Sequence, residues 1–562
     1  MKPALFTLAL SAGLAVAQSG TQSGAPAVIR SNTRLVQVNV VVHDKNGAVA
    51  DLKQEDFVVF DGRKQRKIAS FAVETATSTI SGAMPKLQPN VFVNSLQRHS
   101  ETPTSVTAIL FDTLNTPVTD QRYARNQVAK FLGTLQPEDG VALYSLSRSS
   151  IQILHDFTDD PRDLARLIKR YRGVADGTPE AGPIFQRPGS NTVQREAPSA
   201  TGEKFDQEKF DQMVDNMTQT VAHAEMTARV RLTTQALESI ANHLAPLPGR
   251  KNLVWISASF PFSVGLHGPD GLANPVSNPH EIYRDDIART ARALNQANMA
   301  IYPVDARGLM VTQAYQASLS LIFGTGASLN ELTSWVAAIN GAQDTMEELA
   351  SRTGGKAFYN TNDIGGSVRR AIEDTKVSYV LGFYPEEADI DGKYHELRVQ
   401  VPGRKGLELR ARQGYYAGDK APVPDAALQT ALQQAVAGPL QSSRIEIGVH
   451  VTRTNQPEPN SLQLDLLVSA RELTLALKED RWQGALRQSI VQLDAHGKVL
   501  ERITDPIKLN LKRESLPEYL QTGMSFAKTV RAKPGLAQLR VIVMDRDSGV
   551  TGSVIIPMSQ VQ

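Results

Sequence analysis

Val106-Thr107-Ala108-Ile109-Leu110-Phe111-Asp112-Thr113-Leu114-Asn115-Thr116 is the stretch on which the reading of the whole chain turns. Ala108 to Phe111 is apolar without alternation and ends in an acid, and Asn115-Thr116-Pro117 closes it as a loop. A run apolar on both faces suits a central parallel strand, which helices cover above and below. In such sheets ligands sit beyond the carboxyl ends of the strands, where Asp112 falls. Tyr123 to Leu135 then places Ala124, Val128, Phe131, Leu132 and Leu135 at helical intervals, and Val141 to Leu146 is a second apolar run. The unit reads strand, loop, helix, strand.

Asp112-x-Leu114-x-Thr116 resembles a worn form of the D-x-S-x-S loop of von Willebrand factor type A (VWA) domains. Glu138-Asp139-Gly140-Val141-Ala142-Leu143, Lys251-Asn252-Leu253-Val254-Trp255-Ile256-Ser257 and Ala300-Ile301-Tyr302-Pro303-Val304-Asp305 resemble the later strands of that domain. The chain as a whole is similar to secreted VWA-related proteins of the acidobacterial type, which carry D-x-L-N-T at this loop. The resemblance implies an α/β fold: a doubly wound parallel sheet inserted in or flanked by β-rich segments, plus a C-terminal β-sandwich.

At 562 residues the chain has room for about three domains of ~100–200 residues. Residues 1–17 read as a secretory signal peptide, with Lys2, an apolar stretch from Ala4 to Val16, and Ala15-Val16-Ala17 as the cleavage site. Residues 18–33 are a small, polar tether, and 34–76 an N-terminal β segment with an Asp44-Lys45-Asn46-Gly47 turn. After a polar connector from Thr75 to Pro103, residues 104–377 form the expected VWA-like domain. It is broken by a Gly/Pro-rich, mobile insertion at 174–210 and by further insertions at 264–279 and 310–341. Strands in 378–417 are expected to pair with 34–76. Residues 418–440 hold a linker and a short helix. Strands separated by turns then fill 443–562 as an immunoglobulin- or fibronectin-like sandwich, among them Leu486 to Leu493 and Ile507 to Leu511.

Composition excludes several functions. Lys+Arg number 60 against Asp+Glu 58, and no basic run is interleaved with aromatics, so nothing points to nucleic acid. With no Cys there is neither a thiol nucleophile nor a disulfide. No Gly-x-Ser-x-Gly elbow, His-Glu-x-x-His pair or phosphate-binding glycine loop occurs, and the ten His are scattered. The reading is therefore not an enzyme, with no catalytic residues and no cofactor required. A hydrolase or enzyme subunit is the least favoured alternative.

The resemblance also implies a site. A complete VWA site holds Mg²⁺ through an Asp and two Ser hydroxyls on one loop, a Thr on a second and an Asp on a third, all oxygen donors that suit this ion. Asp112 and Thr116 match two of these ligands. Leu114 stands at a third position and Ala258 at the position of the last Asp. Thr178, Thr227, Thr233 and Thr234 all remain open as the second-loop Thr. The expected site is a degenerate metal-ion-dependent adhesion site, with Mg²⁺ at most weakly held. Its partner-binding edge comprises Asp112, Asn115, Thr116, Ser257, Ser259 and Asp305, where the Asp305-Ala306-Arg307-Gly308 turn also falls. Asp112 has a second reading, as an acceptor for backbone N–H groups of its own loop. The function expected is a secreted binding or adhesion protein with an unidentified protein partner and no membrane span. The alternative is a structural envelope or secretion-linked scaffold.

Export to periplasm or medium predicts a mature chain that begins at Gln18. N-terminal sequencing of protein from the producing cell checks this, and finding Met1 retained in a cytosolic fraction refutes it.

Overall fold

The computed structural model describes residues 28–30, 35–75, 79–81, 88–94, 101–103, 106–135, 140–148, 150–158, 161–171, 207–247, 249–258, 283–309, 343–418, 423–438 and 440–562. The expected signal peptide, the insertions at 264–279 and 310–341, and Ser259 lie outside the described residues. So does the expected insertion at 174–210, except at its end, where residues 207–210 already belong to the helix Gln207–Leu244.

The expected fold class is overturned. Strand occupies 41% of the chain against 29% helix. Of the six sheets among the described residues, five are wholly antiparallel. The chain is therefore β-rich, not an α/β protein built on a doubly wound parallel sheet. Helix-covered strands announce themselves as unbroken apolar runs, whereas half-exposed antiparallel strands alternate and are individually faint. The faint ones are the majority.

The strand Val106–Asp112 lies at the centre of a mixed sheet in the order Ile151–Thr158, Val141–Leu146, Val106–Asp112, Lys251–Ser257, Met299–Asp305. The last four run parallel, while Ile151–Thr158 pairs antiparallel at the edge. All seven residues of the central strand are buried, because helices cover both faces. On one face pack Gln207–Leu244, Arg284–Gln296 and the helix at 343–353; on the other Val118–Leu132, Pro161–Arg170 and Ile364–Glu373. Each fully buried aliphatic or aromatic side chain here contributes ~1.5–3 kcal/mol. Not every apolar residue of the long helix joins this core: Met226 is buried, but Met217 is 65% exposed. The helix at 343–353 ends on Gly354, whose φ of +78° only glycine adopts freely. A Cβ on Gly355 would come within 1.8 Å of the Ile301 carbonyl oxygen, so the helix can seat against the sheet only with glycine there.

Strands on either side of this unit in sequence come together in two small antiparallel sheets. Val377–Phe383 pairs with Val36–Asp44 on one side and Ser70–Thr75 on the other, and Glu408–Ala411 adds to Val36–Asp44. Tyr394–Gln400 pairs with Val58–Asp61. Val38, Val40, Phe57, Val59, Tyr379, Leu381 and Phe383 form their shared core. The C-terminal strands make two further sheets around Ile447, Leu464, Trp482, Ile490 and Val541. Part of the polar connector is not a connector at all, since Val91–Val93 pairs with Ile447–Thr454.

Asp374 joins the mixed sheet to the antiparallel layer. It is fully buried at the end of the helix Ile364–Glu373. Its carboxylate accepts from the Tyr302 hydroxyl at 2.7 Å and from the Arg410 guanidinium, and the His43 imidazole lies 3.0 Å away. Burial pushes the Asp374 carboxyl up, but His43, Arg410 and Tyr302 outweigh that and hold it below the usual carboxylate range. Removing it as Asp374→Ala strands buried partners and is expected to cost ~3–5 kcal/mol. Because the folded-state pKa is depressed, this contribution is complete above the unfolded-state value of ~3.9 and disappears as pH falls through the lower folded value. Thermal melts of wild type and variant should thus differ widely at pH 7 and converge below about pH 4.

Candidate functional site

The residues singled out at the Asp112 loop fold into a closed polar knot. Asp112 ends the central strand and is 0% exposed. One carboxylate oxygen accepts the Asn115 backbone N–H at 2.9 Å. The other accepts from Asn115 Nδ2 at 2.8 Å, Trp255 Nε1 at 3.0 Å and Ser257 Oγ at 2.9 Å. Asn115 in turn donates through Nδ2 to Thr233 Oγ1 at 2.8 Å and accepts from Arg229 Nε at 3.2 Å. Thr116 Oγ1 accepts the Ala258 N–H at 3.1 Å. Burial pushes the Asp112 carboxyl up, opposed by the bonds from Asn115, Trp255 and Ser257. Burial likewise pushes the Arg229 guanidinium down, opposed by the charge of Asp112.

The local chain dictates this arrangement. Thr113 N and Leu114 N both donate to the Leu146 carbonyl at 2.8 and 3.1 Å, which turns the chain sharply after the strand. Gln121 Nε2 holds the turn from the far side through the Thr116 carbonyl at 2.7 Å. That turn sends Leu114 into the core shared by Leu110, Tyr144 and Val230, where a hydroxyl would have no use. Ser257, at the end of Lys251–Ser257, lies beside Asp112 because the two strands pair in parallel register, Phe111 opposite Ile256.

Of the four threonines left open, the network contains Thr233. Thr227 Oγ1 instead meets the Tyr283 hydroxyl at 3.0 Å, Thr234 bonds back to the Val230 carbonyl at 3.0 Å, and Thr178 lies outside the described residues. Asp305 ends the Met299–Asp305 strand on the same edge, also fully buried. Its carboxylate is engaged by Arg307, with Nε 2.9 Å from Oδ1 and Nη2 2.7 Å from Oδ2. It lies opposite Ser257 in the parallel ladder, and the next residue, Ala306, donates its N–H to the Ser257 carbonyl at 3.0 Å. Sequence reasoning missed Trp255 and Arg229. Trp255 stands two residues before Ser257 and so points to the same side of the strand, a signal that was present; Arg229, in mid-helix, offered none.

The donor set does not fit a divalent cation. Both Asp112 oxygens face N–H and O–H donors, the Thr116 oxygen is taken by a backbone N–H, and the Arg229 guanidinium already opposes the Asp112 charge. Among the described residues no three His, Asp or Glu side chains are grouped as metal ligands. Three of the nine exposed large apolar side chains among the described residues do stand at this edge. Val118 (70% exposed) opens the helix after the Asp112 loop, and Leu309 (52%) follows the Asp305 turn. Tyr359 (40%) follows Phe358, which bridges to Val304.

No family model, no curated protein and no solved structure matches the chain.

Asp112→Ala removes the acceptor of four hydrogen bonds and the charge that most opposes the desolvation of Arg229. It is expected to destabilise the protein by about 3 kcal/mol or more, whereas Trp255→Phe, which removes one donor, should cost ~1–2 kcal/mol. Urea unfolding followed by tryptophan-independent circular dichroism measures both.

Proposed function

We propose that the protein is an exported, non-enzymatic binding protein. The Asp112 network holds the loop edge of its mixed sheet rigid, and that edge engages a protein partner without a bridging metal. The exposed apolar side chains of Val118, Leu309 and Tyr359 carry this reading. Large apolar groups exposed together at one edge mark contact surfaces more often than chance exposure does. The internally satisfied carboxylates beneath them supply rigidity, leaving no oxygen free to coordinate or to act as a base. The resemblance to secreted VWA-related proteins agrees with a binding role. Among the described residues no helix is long and apolar enough to cross a membrane. The second reading, a scaffold with no ligand at this edge, draws on the same closure of Asp112.

Capture of partners from an envelope extract separates the two. The same proteins should be retained with and without EDTA, and a combined Val118→Ser, Leu309→Ser and Tyr359→Ser variant should lose them with its melting temperature unchanged. Retention by the triple variant, or no retention by either, defeats the binding reading. Saturating Mg²⁺ should leave the melting temperature of the wild type where it was, because only a ligand well above its dissociation constant stabilises the fold. A rise of several degrees would restore the metal-dependent alternative.

A further inference from the structure

The C-terminal sheets carry a feature independent of the loop edge. Val499–Lys512 pairs with Arg481–Leu493 along its whole length and, among the described residues, with no strand on its other side. Pro506 lies within it, as an edge strand allows. Alternation sorts its side chains by face. Ile503, Ile507, Leu509 and Leu511 face the core, and the acids on that same face are neutralised: Glu501 by Lys533 at 2.7 Å, Asp505 by Lys528 at 2.9 Å. Arg502, Thr504, Pro506, Lys508, Asn510 and Lys512 face outward, and all six are exposed.

The register extends this outer face onto the neighbouring strand as far as Arg487; beyond it Val491 and Leu493 are buried against Leu428 and Leu432 of the helix Asp425–Ala437. Arg487 lies opposite Pro506, and Arg481 opposite both Lys512 and Lys478. The outer positions of the Arg481–Leu493 and Val499–Lys512 pair include no carboxylate, and none of the six cations Lys478, Arg481, Arg487, Arg502, Lys508 and Lys512 has an ion-pair partner among the described residues. Two exposed acids, Glu479 and Asp480, sit in the turn at one end, between Lys478 and Arg481, and Asp480 lies 3.5 Å from Arg513. From Arg502 to Lys512 the strip runs ~34 Å, at about 3.4 Å per residue. Amide and hydroxyl groups stand between the charges. Asn510 accepts from Arg481 Nε at 2.8 Å, and the exposed Thr504 hydroxyl meets that of the buried Ser489 across the ladder at 2.9 Å.

We infer that this ribbon binds a linear acidic polysaccharide, its cations meeting carboxylate or sulfate groups and its amides and hydroxyls meeting sugar hydroxyls. Charge complementarity requires a polyanion, and the strip is long and narrow, so the polyanion is extended. No aromatic side chain occupies the outer positions to stack a base, as single-stranded nucleic acid requires. On this face a single large apolar side chain, Val499 at the end of the strand, is exposed among the described residues, too few to seat the surface in a bilayer.

The test uses the full chain and a heparin oligosaccharide as the uronate- and sulfate-bearing probe, by calorimetry at low salt. Wild type should bind it, should lose at least tenfold in affinity between 50 and 200 mM salt, and should ignore neutral dextran. Replacing Arg487, Arg502, Lys508 and Lys512 each by Gln should weaken binding at least tenfold with the melting temperature unchanged. A control with exposed Lys45, Lys53, Lys67 and Lys376 each replaced by Gln should bind as wild type does. The inference is overturned if the ribbon variant binds normally, or if the control loses as much, since net charge alone would then be responsible. Tighter binding of an oligonucleotide or of phosphatidylglycerol vesicles than of the glycan overturns it as well.

Discussion

A carboxylate taken wholly out of water costs several kcal/mol, and Asp112 is such a group. That cost is tolerable only when donors from other elements stand in fixed positions around it. Asn115 comes from its own turn, Trp255 and Ser257 from the neighbouring strand, and Arg229 and Thr233 reach the site through Asn115 from the long helix. None of these elements can shift without stranding a buried charge. The register of the two central strands and the seating of the long helix therefore share one constraint. N–H groups, the Ser257 hydroxyl and, through Asn115, the Arg229 guanidinium organise the loop.

Asp374 applies the same logic where the mixed sheet meets the antiparallel layer. Arg250, just before the Lys251–Ser257 strand, donates to the Tyr302 hydroxyl at 3.0 Å and to the Gly354 carbonyl at 2.7 Å, and Tyr302 passes its own proton toward Asp374. Arg410 and His43 approach from the antiparallel layer. An apolar junction would let the two bodies slide, since dispersion and burial are non-directional. Directional bonds to one buried carboxylate fix their relation.

What the sequence made legible follows from how each strand is buried. Val106–Asp112, Val141–Leu146, Lys251–Ser257 and Met299–Asp305 are covered on both faces and read as unbroken apolar runs, so their positions were visible while the class of the whole chain was not. Val91–Val93 is three residues in a polar stretch, and only its partner some 350 positions away makes it a strand. Val499–Lys512 is almost three times as long as the Ile507 to Leu511 segment visible in the sequence, because Pro506 and the outward Arg and Lys residues break any apolar pattern. At the Asp112 loop the acid, Asn115 and Thr116 were legible from one short motif. Arg229 was not, because a buried cation's meaning depends on a partner more than a hundred residues away.

The near balance of 60 basic and 58 acidic residues gives no hint of how charge is placed. Folding sorts charge by face. Within Val499–Lys512 the acids fall on odd positions and turn inward to Lys528 and Lys533, while the cations fall on even positions and turn out. A period of two thus separates like charges that sequence counting would cancel. The same sorting acts on polar groups at the Asp112 edge, where hydroxyls and carboxylates turn inward and Val118, Leu309 and Tyr359 are left outside. In both places the groups that look chemically active in sequence are consumed by the fold, and the surface is made by residues that looked unremarkable. A bulk property such as net charge, or a motif read as a string, therefore constrains this protein's partners less than the direction in which each side chain leaves its strand.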